Sequence, residues 1–179
     1  ENVLSTLGQA SSVLRERLGE SVAAIGATDV PIVQATTASL DALEAFSEGD
    51  LERRRGRDEN AIAAYHRAIE LDPTFALAHS RLGVHLLNLG RTGEAVESLK
   101  RAFALRERVS AGERLYISAF YYSRVVRDPV RALTALESWA ATYPGNALAR
   151  FSLASMYGQM GRFQDALRQE PPPAAVVSE

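Results

Sequence analysis

Apolar residues recur along this chain at helical spacing, and glycine and proline interrupt them at regular intervals. In the clearest stretch Leu77, Leu82, Leu86 and Leu89 form one stripe, which predicts a helix that Gly90 ends. A second stripe starts near Thr92 and runs through Ala95, Val96, Leu99, Ala102, Phe103 and Leu105, predicting a partner helix. Small residues at Gly83, Ala95 and Ala102 let the two helices approach closely. Asp72-Pro73-Thr74 marks the break before this pair, because proline suits a first helical turn and aspartate caps one. Ser110 and Glu113 have capping-box spacing and predict a helix restart.

The two-helix pattern repeats. Ala61-Ile62, Ala95-Val96, Ala132-Leu133 and Ala166-Leu167 follow one another at 34, 37 and 34 residues. Pro73 and Pro144 are 71 apart, as are Gly90 and Gly161, so a second set of residues gives the same register. A period of this length is the mark of stacked supersecondary units. The three extra residues of the longer step fall around Val109 to Gly112.

The string Ala76, Ala78, Leu82, Gly83, Leu89, Gly90, Glu94, Ala95, Leu99 and Ala102 resembles the tetratricopeptide repeat. The preceding copy keeps Gly49, Gly56, Ala61, Tyr65, Ala68 and Pro73. The third keeps Ala132, Leu136 and Pro144 but carries Phe120 and Arg127 in place of both glycines. The fourth keeps Leu153, Tyr157, Gly161 and Ala166. The resemblance implies an all-α fold, a right-handed superhelical array of antiparallel helix pairs. It divides residues 39–170 into about three and a half copies, at 42–75, 76–109, 113–146 and 147–170. Pro171-Pro172-Pro173 cuts the last copy short, leaving residues 171–179 as a proline-rich disordered tail. The open fourth copy, with Leu153 and Leu167 on its face, is a candidate surface for self-assembly.

Residues 1–38 read as a leader. Leu4, Leu7, Leu14 and Leu18 share one helical face, Gly19 ends it, and Pro31 begins an extended connection. Such a helix either caps the first copy or closes a preceding domain. The stretches Leu14–Ser21, Gln34–Leu43, Phe103–Ser110 and Glu113–Ile117 are similar to repeat regions behind a Ser/Thr kinase domain and a membrane segment in acidobacteria, or behind DNA-binding domains in other regulators. That resemblance implies the docking or sensory part of a larger bacterial signalling protein. The chain starts with Glu1 rather than Met and reads as a piece of a longer one.

Composition narrows the function classes. The 179 residues carry a net charge of -2 with pI near 6.0, which gives no electrostatic case for nucleic acid. No cysteine is present, so disulfides and thiolate chemistry are excluded. No apolar run approaches the ~18–20 residues that span a bilayer. Arg53-Arg54-Arg55 and Arg57 are interleaved with Glu48, Asp50, Glu52, Asp58 and Glu59, and read as paired charges on a helix surface. His66, His79 and His85 lack metal-site spacing, and the tyrosines at 116, 121, 122 and 143 with Trp139 read as packing for the irregular third copy. There is no phosphate loop or nucleophile elbow, so neither enzyme activity nor a cofactor or metal is expected.

In the family's architecture the first helix of each pair lines a concave groove. The inward positions are then Phe46, Asp50 and Arg53; Ser80, Val84, Leu87 and Asn88; Ile117, Tyr121, Arg124 and Val125; and Phe151, Ser155 and Gln159, with Arg81 and Arg114 near the edge. Aromatic floor and guanidinium edge imply a protein or peptide partner that carries an acidic side chain or a C-terminal carboxylate.

Overall fold

A computed structural model describes residues 37–169; the leader stripe, its proline connection and the triple proline lie outside the described residues. Helix α1 (Leu40–Arg54) starts where the Ser39 hydroxyl accepts the Ala42 N–H, with Asp41 in its first turn and Arg53 and Arg54 in its last. After it come α2 (Asp58–Leu71), α3 (Ala76–Asn88), α4 (Thr92–Leu105), α5 (Ala111–Tyr121), α6 (Pro129–Thr142), α7 (Ala147–Gln159) and the short α8 (Phe163–Leu167). Among the described residues there is no strand. Each odd-numbered helix packs on the next even one, α2 packs on α3 and α6 on α7, and α3 also touches α5. The result is an all-α array of successive helix pairs.

Two close approaches fix the helix pairs. A Cβ on Gly49 would stand 2.6 Å from the Tyr65 ring, and one on Gly83 would stand 2.7 Å from Leu99 Cγ. The helix pairs turn at Gly56, Gly90 and Gly161, at φ of 72°, 75° and 74°. In the third copy Arg127 occupies this left-handed position, at φ 59°.

Helix starts differ in chemistry. The Ser110–Glu113 capping box forms, with the Ser110 N–H donating to Glu113 at 3.1 Å. Asp128 caps α6 by accepting the Arg131 N–H, with Pro129 in the first turn. The break at Asp72-Pro73 is built otherwise than its residue types predict. Asp72 Oδ1 accepts the N–H and hydroxyl of Thr74 at 2.9 and 2.8 Å, making a side-chain turn, and α3 begins three residues after the proline at Ala76.

Between α5 and α6 the backbone widens into a π turn (Tyr122–Val126). Such a turn holds one more residue than an α turn. Counting back from Ala132 across it therefore misplaces the faces of α5 by one position. At the far end Leu153 is buried, against the expectation that it lies on an open face with Leu167, whereas Phe163 and Leu167 are exposed.

Candidate binding groove

Several expected groove residues belong to the core instead. Phe46 packs its ring 4.9 Å from Phe75 and 5.6 Å from Tyr65, and Ile117 is 1% exposed. Ser80 is likewise fully buried. Tyr121 turns toward the preceding copy, where its ring stacks on Phe103 at 3.8 Å. The one-residue offset of the π turn accounts for Ile117 and Tyr121: the α5 residues on the cavity walls are Phe120, half-buried, and Tyr116, itself buried, each one position earlier.

In the first two copies a polar network gathers around Asp50. Tyr65 donates its hydroxyl to Asp50 Oδ1 at 2.7 Å. Burial first, and then this bond, pushes the Tyr65 phenol up, so it stays a donor. Arg53 Nε and Arg81 Nε face the same Asp50 oxygen at 3.5 and 3.7 Å. Arg81 also donates to the Tyr116 hydroxyl at 3.2 Å. Arg114 is exposed and faces Glu107 at 3.4 Å. Val84 is half-buried and Asn88 exposed on α3. Elsewhere in the basic run Arg55 and Arg57 both pair with Glu52, and His85, buried, bonds Asp58 at 2.9 Å.

The third and fourth copies leave an open space. A cavity of ≈ 260 Å³ lies between α5, the π turn, the start of α6 and α7. It brings together four of the expected residues, Arg124, Phe151, Ser155 and Gln159. It also recruits Phe120, Ser123, Arg127, Leu136, Ser152 and Met156, which the repeat count did not place there. No carboxylate lines it, and neither the Arg124 nor the Arg127 side chain has an ion-pair or hydrogen-bond partner among the described residues. Phe151 is 72% exposed on its wall. The signal for Arg127 was its replacement of a glycine: a cation held at a left-handed position is a departure from the repeat.

A second cavity, of ≈ 340 Å³, lies further along α5 toward its start. Its walls are Tyr116, Trp139, Tyr143, Leu77 and Leu148, with Arg81, Ser110, Gly112, Glu113 and Asn146 completing it. Tyr116 and Trp139 meet edge to face at 5.4 Å, and Tyr116 contacts Phe120 of the first cavity at 4.7 Å. Among the described residues no group of three or more His, Asp or Glu is placed to hold a metal ion, and no helix is long and apolar enough to cross a membrane.

Comparisons agree with the repeat. Residues 49–90 match the family model described as TPR repeat. A stretch of 51 residues is 49% identical to the peroxisomal targeting signal receptor of Eremothecium gossypii, and 43% identical to that of Kluyveromyces lactis. It covers 28% of this chain and only 9% of either receptor. Among solved structures, YrrB, a TPR protein with an unusual peptide-binding site, aligns over 72% of this chain and 65% of its own, at 25% identity and TM-score 0.46. The first TPR of Spaghetti (RPAP3) bound to an HSP90 peptide aligns over 72% of this chain and 98% of its own, at 16% identity and TM-score 0.49. Residues 49–90 thus match the TPR repeat, and the same register of packed helix pairs continues through the described residues as an all-α array.

Proposed function

We propose that the chain is a protein-interaction module that holds a peptide segment with an acidic group in its groove. The observation that carries this reading is the pair Arg124 and Arg127, unpartnered in a cavity that no carboxylate lines and that Phe151 borders. Guanidinium groups match carboxylates in shape and charge, and an exposed aromatic beside them offers apolar contact to the same segment. The repeat family supports the reading, since the matched receptors and the peptide-bound TPR are named for recognising targeting signals or peptides. The unit is the array over residues 39–170, and the setting behind a kinase or another regulator rests on the sequence resemblance, which the gene upstream of Glu1 decides.

Calorimetry with short acidic peptides tests the groove. Arg124→Ala with Arg127→Ala is expected to weaken binding by about 1.5–3 kcal/mol, the scale of hydrogen bonds to charged groups. Unchanged affinity in the double variant would sink the proposal. A second reading, self-assembly through α8, is favoured by Phe163 and Leu167, exposed four residues apart on one face. Light scattering across a concentration series that shows only monomer removes it.

A further inference from the structure

The two cavities are neighbours along one cleft. On α5, Tyr116 walls one and Phe120 the other, a helical turn apart; on α7, Leu148 and Phe151 are related in the same way. The cleft thus runs along α5 and α7, and at its second cavity it also reaches Leu77 and Arg81 of α3 in the second copy. Its two ends differ in chemistry. One end holds two unpartnered guanidinium groups, and the other is floored by the edge-to-face pair of Tyr116 and Trp139.

We propose that this cleft is a two-pocket site for an extended peptide with two anchors, a carboxylate at Arg124 and Arg127 and an aromatic side chain in the Trp139 pocket. The inference rests on the groove reading above and adds the second anchor and the spacing. The pocket centres fall near positions 122 and 114 of the chain, an offset of roughly 12 Å at a helical rise of about 1.5 Å per residue. An extended chain covers about 3.3–3.6 Å per residue, which places the two anchors about four positions apart. Charge selects the first anchor, because that pocket carries uncompensated cations and no carboxylate. Shape selects the second: the half-buried Leu77, Tyr143 and Leu148 offer an aromatic ring apolar contact above the buried pair of Tyr116 and Trp139, while Ser110 and Asn146 stay engaged as helix caps. The separation of the anchors explains why the third copy departs from the repeat. Its π turn brings Phe120 to the groove side, and its large residues wall the aromatic pocket.

The test uses capped peptides of alanine that carry Glu and Phe four positions apart, in both orders, beside peptides with either anchor alone or with the two in adjacent positions. Trp139 is the chain's single tryptophan, so its emission reports the second pocket directly, while calorimetry gives affinity. The two-anchor peptide, in one order, is expected to bind about tenfold tighter than either single-anchor peptide and to shift Trp139 emission. Arg124→Gln with Arg127→Gln is expected to remove the advantage of Glu and leave the emission shift at high peptide concentration, with the helical circular dichroism unchanged. If the Glu-only or the adjacent-anchor peptide binds as tightly as the spaced one, or if Trp139 does not respond, the two-pocket site is overturned while acidic-peptide binding stands. If no acidic peptide binds, both readings fall.

Discussion

The Arg81 guanidinium lies 4.8 Å from the centre of the Tyr116 ring and donates to the Tyr116 hydroxyl at 3.2 Å, tying α3 to α5. Its Nε faces Asp50 of α1, so one side chain joins three successive copies. A surface arginine is ordinarily replaceable; this one is enclosed, and its loss leaves Asp50 with a single guanidinium and Tyr116 without its donor. Arg81→Ala is expected to lower unfolding stability by about 2 kcal/mol through the lost charged hydrogen bond and cation–π contact. Arg124→Ala is expected to stay within about 0.5 kcal/mol of the parent, as an exposed change without partners. Urea titration separates the two, and an unshifted midpoint for Arg81→Ala would remove its structural role.

The glycines inside the helix pairs make a sharper test of packing. Alanine at position 49 must enter the space of the Tyr65 ring, which is fully buried and held by its bond to Asp50. Overpacking of this kind costs about 1–3 kcal/mol, set against up to about 1 kcal/mol gained in helix propensity. Gly49→Ala is therefore expected to destabilise. Gly158→Ala, at a helix position with nothing within 4 Å of the new Cβ, is expected to stabilise by up to about 1 kcal/mol. Equal melting shifts for the two would contradict the packing argument.

What could be read from residues alone follows from which constraints are local. The helix pairs, the turns at Gly56, Gly90 and Gly161 and the capping box at Ser110 are set by nearby chemistry, and periodicity reveals them. Position on a helix face is also local, provided every turn holds the same number of residues. The π turn after Tyr121 breaks that condition, so even helical spacing points to Ile117 and Tyr121 for the groove and passes over Phe120. Arg81 and Asp50 show a different limit. Both are polar and on the inner side, but their mutual neutralisation depends on how three copies stack, and no spacing within one copy contains it.

Acid is expected to loosen the array at the first inter-copy turn. Burial pushes the Asp72 carboxyl up, but hydrogen bonds from Thr37 and Thr74 outweigh it and hold it below its ordinary 3.8. A depressed carboxyl stabilises fully above its ordinary value, and the contribution is lost as pH falls beneath it toward the folded value. The parent protein is thus expected to lose thermal stability on going from about pH 6 to about pH 3, and Asp72→Asn to lose less over the same interval. Melting curves at the two pH values provide the check, and an identical pH response in the variant would assign the acid sensitivity elsewhere.

Arg127 sets stability against binding at one residue. Its φ of 59° puts a side-chain-bearing residue where the other three copies use glycine. The left-handed region costs an L-residue about 1–2 kcal/mol relative to glycine, offset in part by the greater unfolded-state entropy of glycine. Arg127→Gly is therefore expected to stabilise the chain by about 0.5–1 kcal/mol. The same change removes one of the two cations of the first cavity, so acidic-peptide affinity is expected to fall by about 1 kcal/mol or more. Arg127→Asn tolerates the backbone conformation without supplying charge, and is expected to follow glycine in binding while gaining less stability. Thermal melts and calorimetry on the same three proteins decide the matter. Opposite signs mean that strain is retained at this position because it aims a cation into the groove; a variant that is both less stable and unimpaired in binding would show that the arginine serves the turn instead.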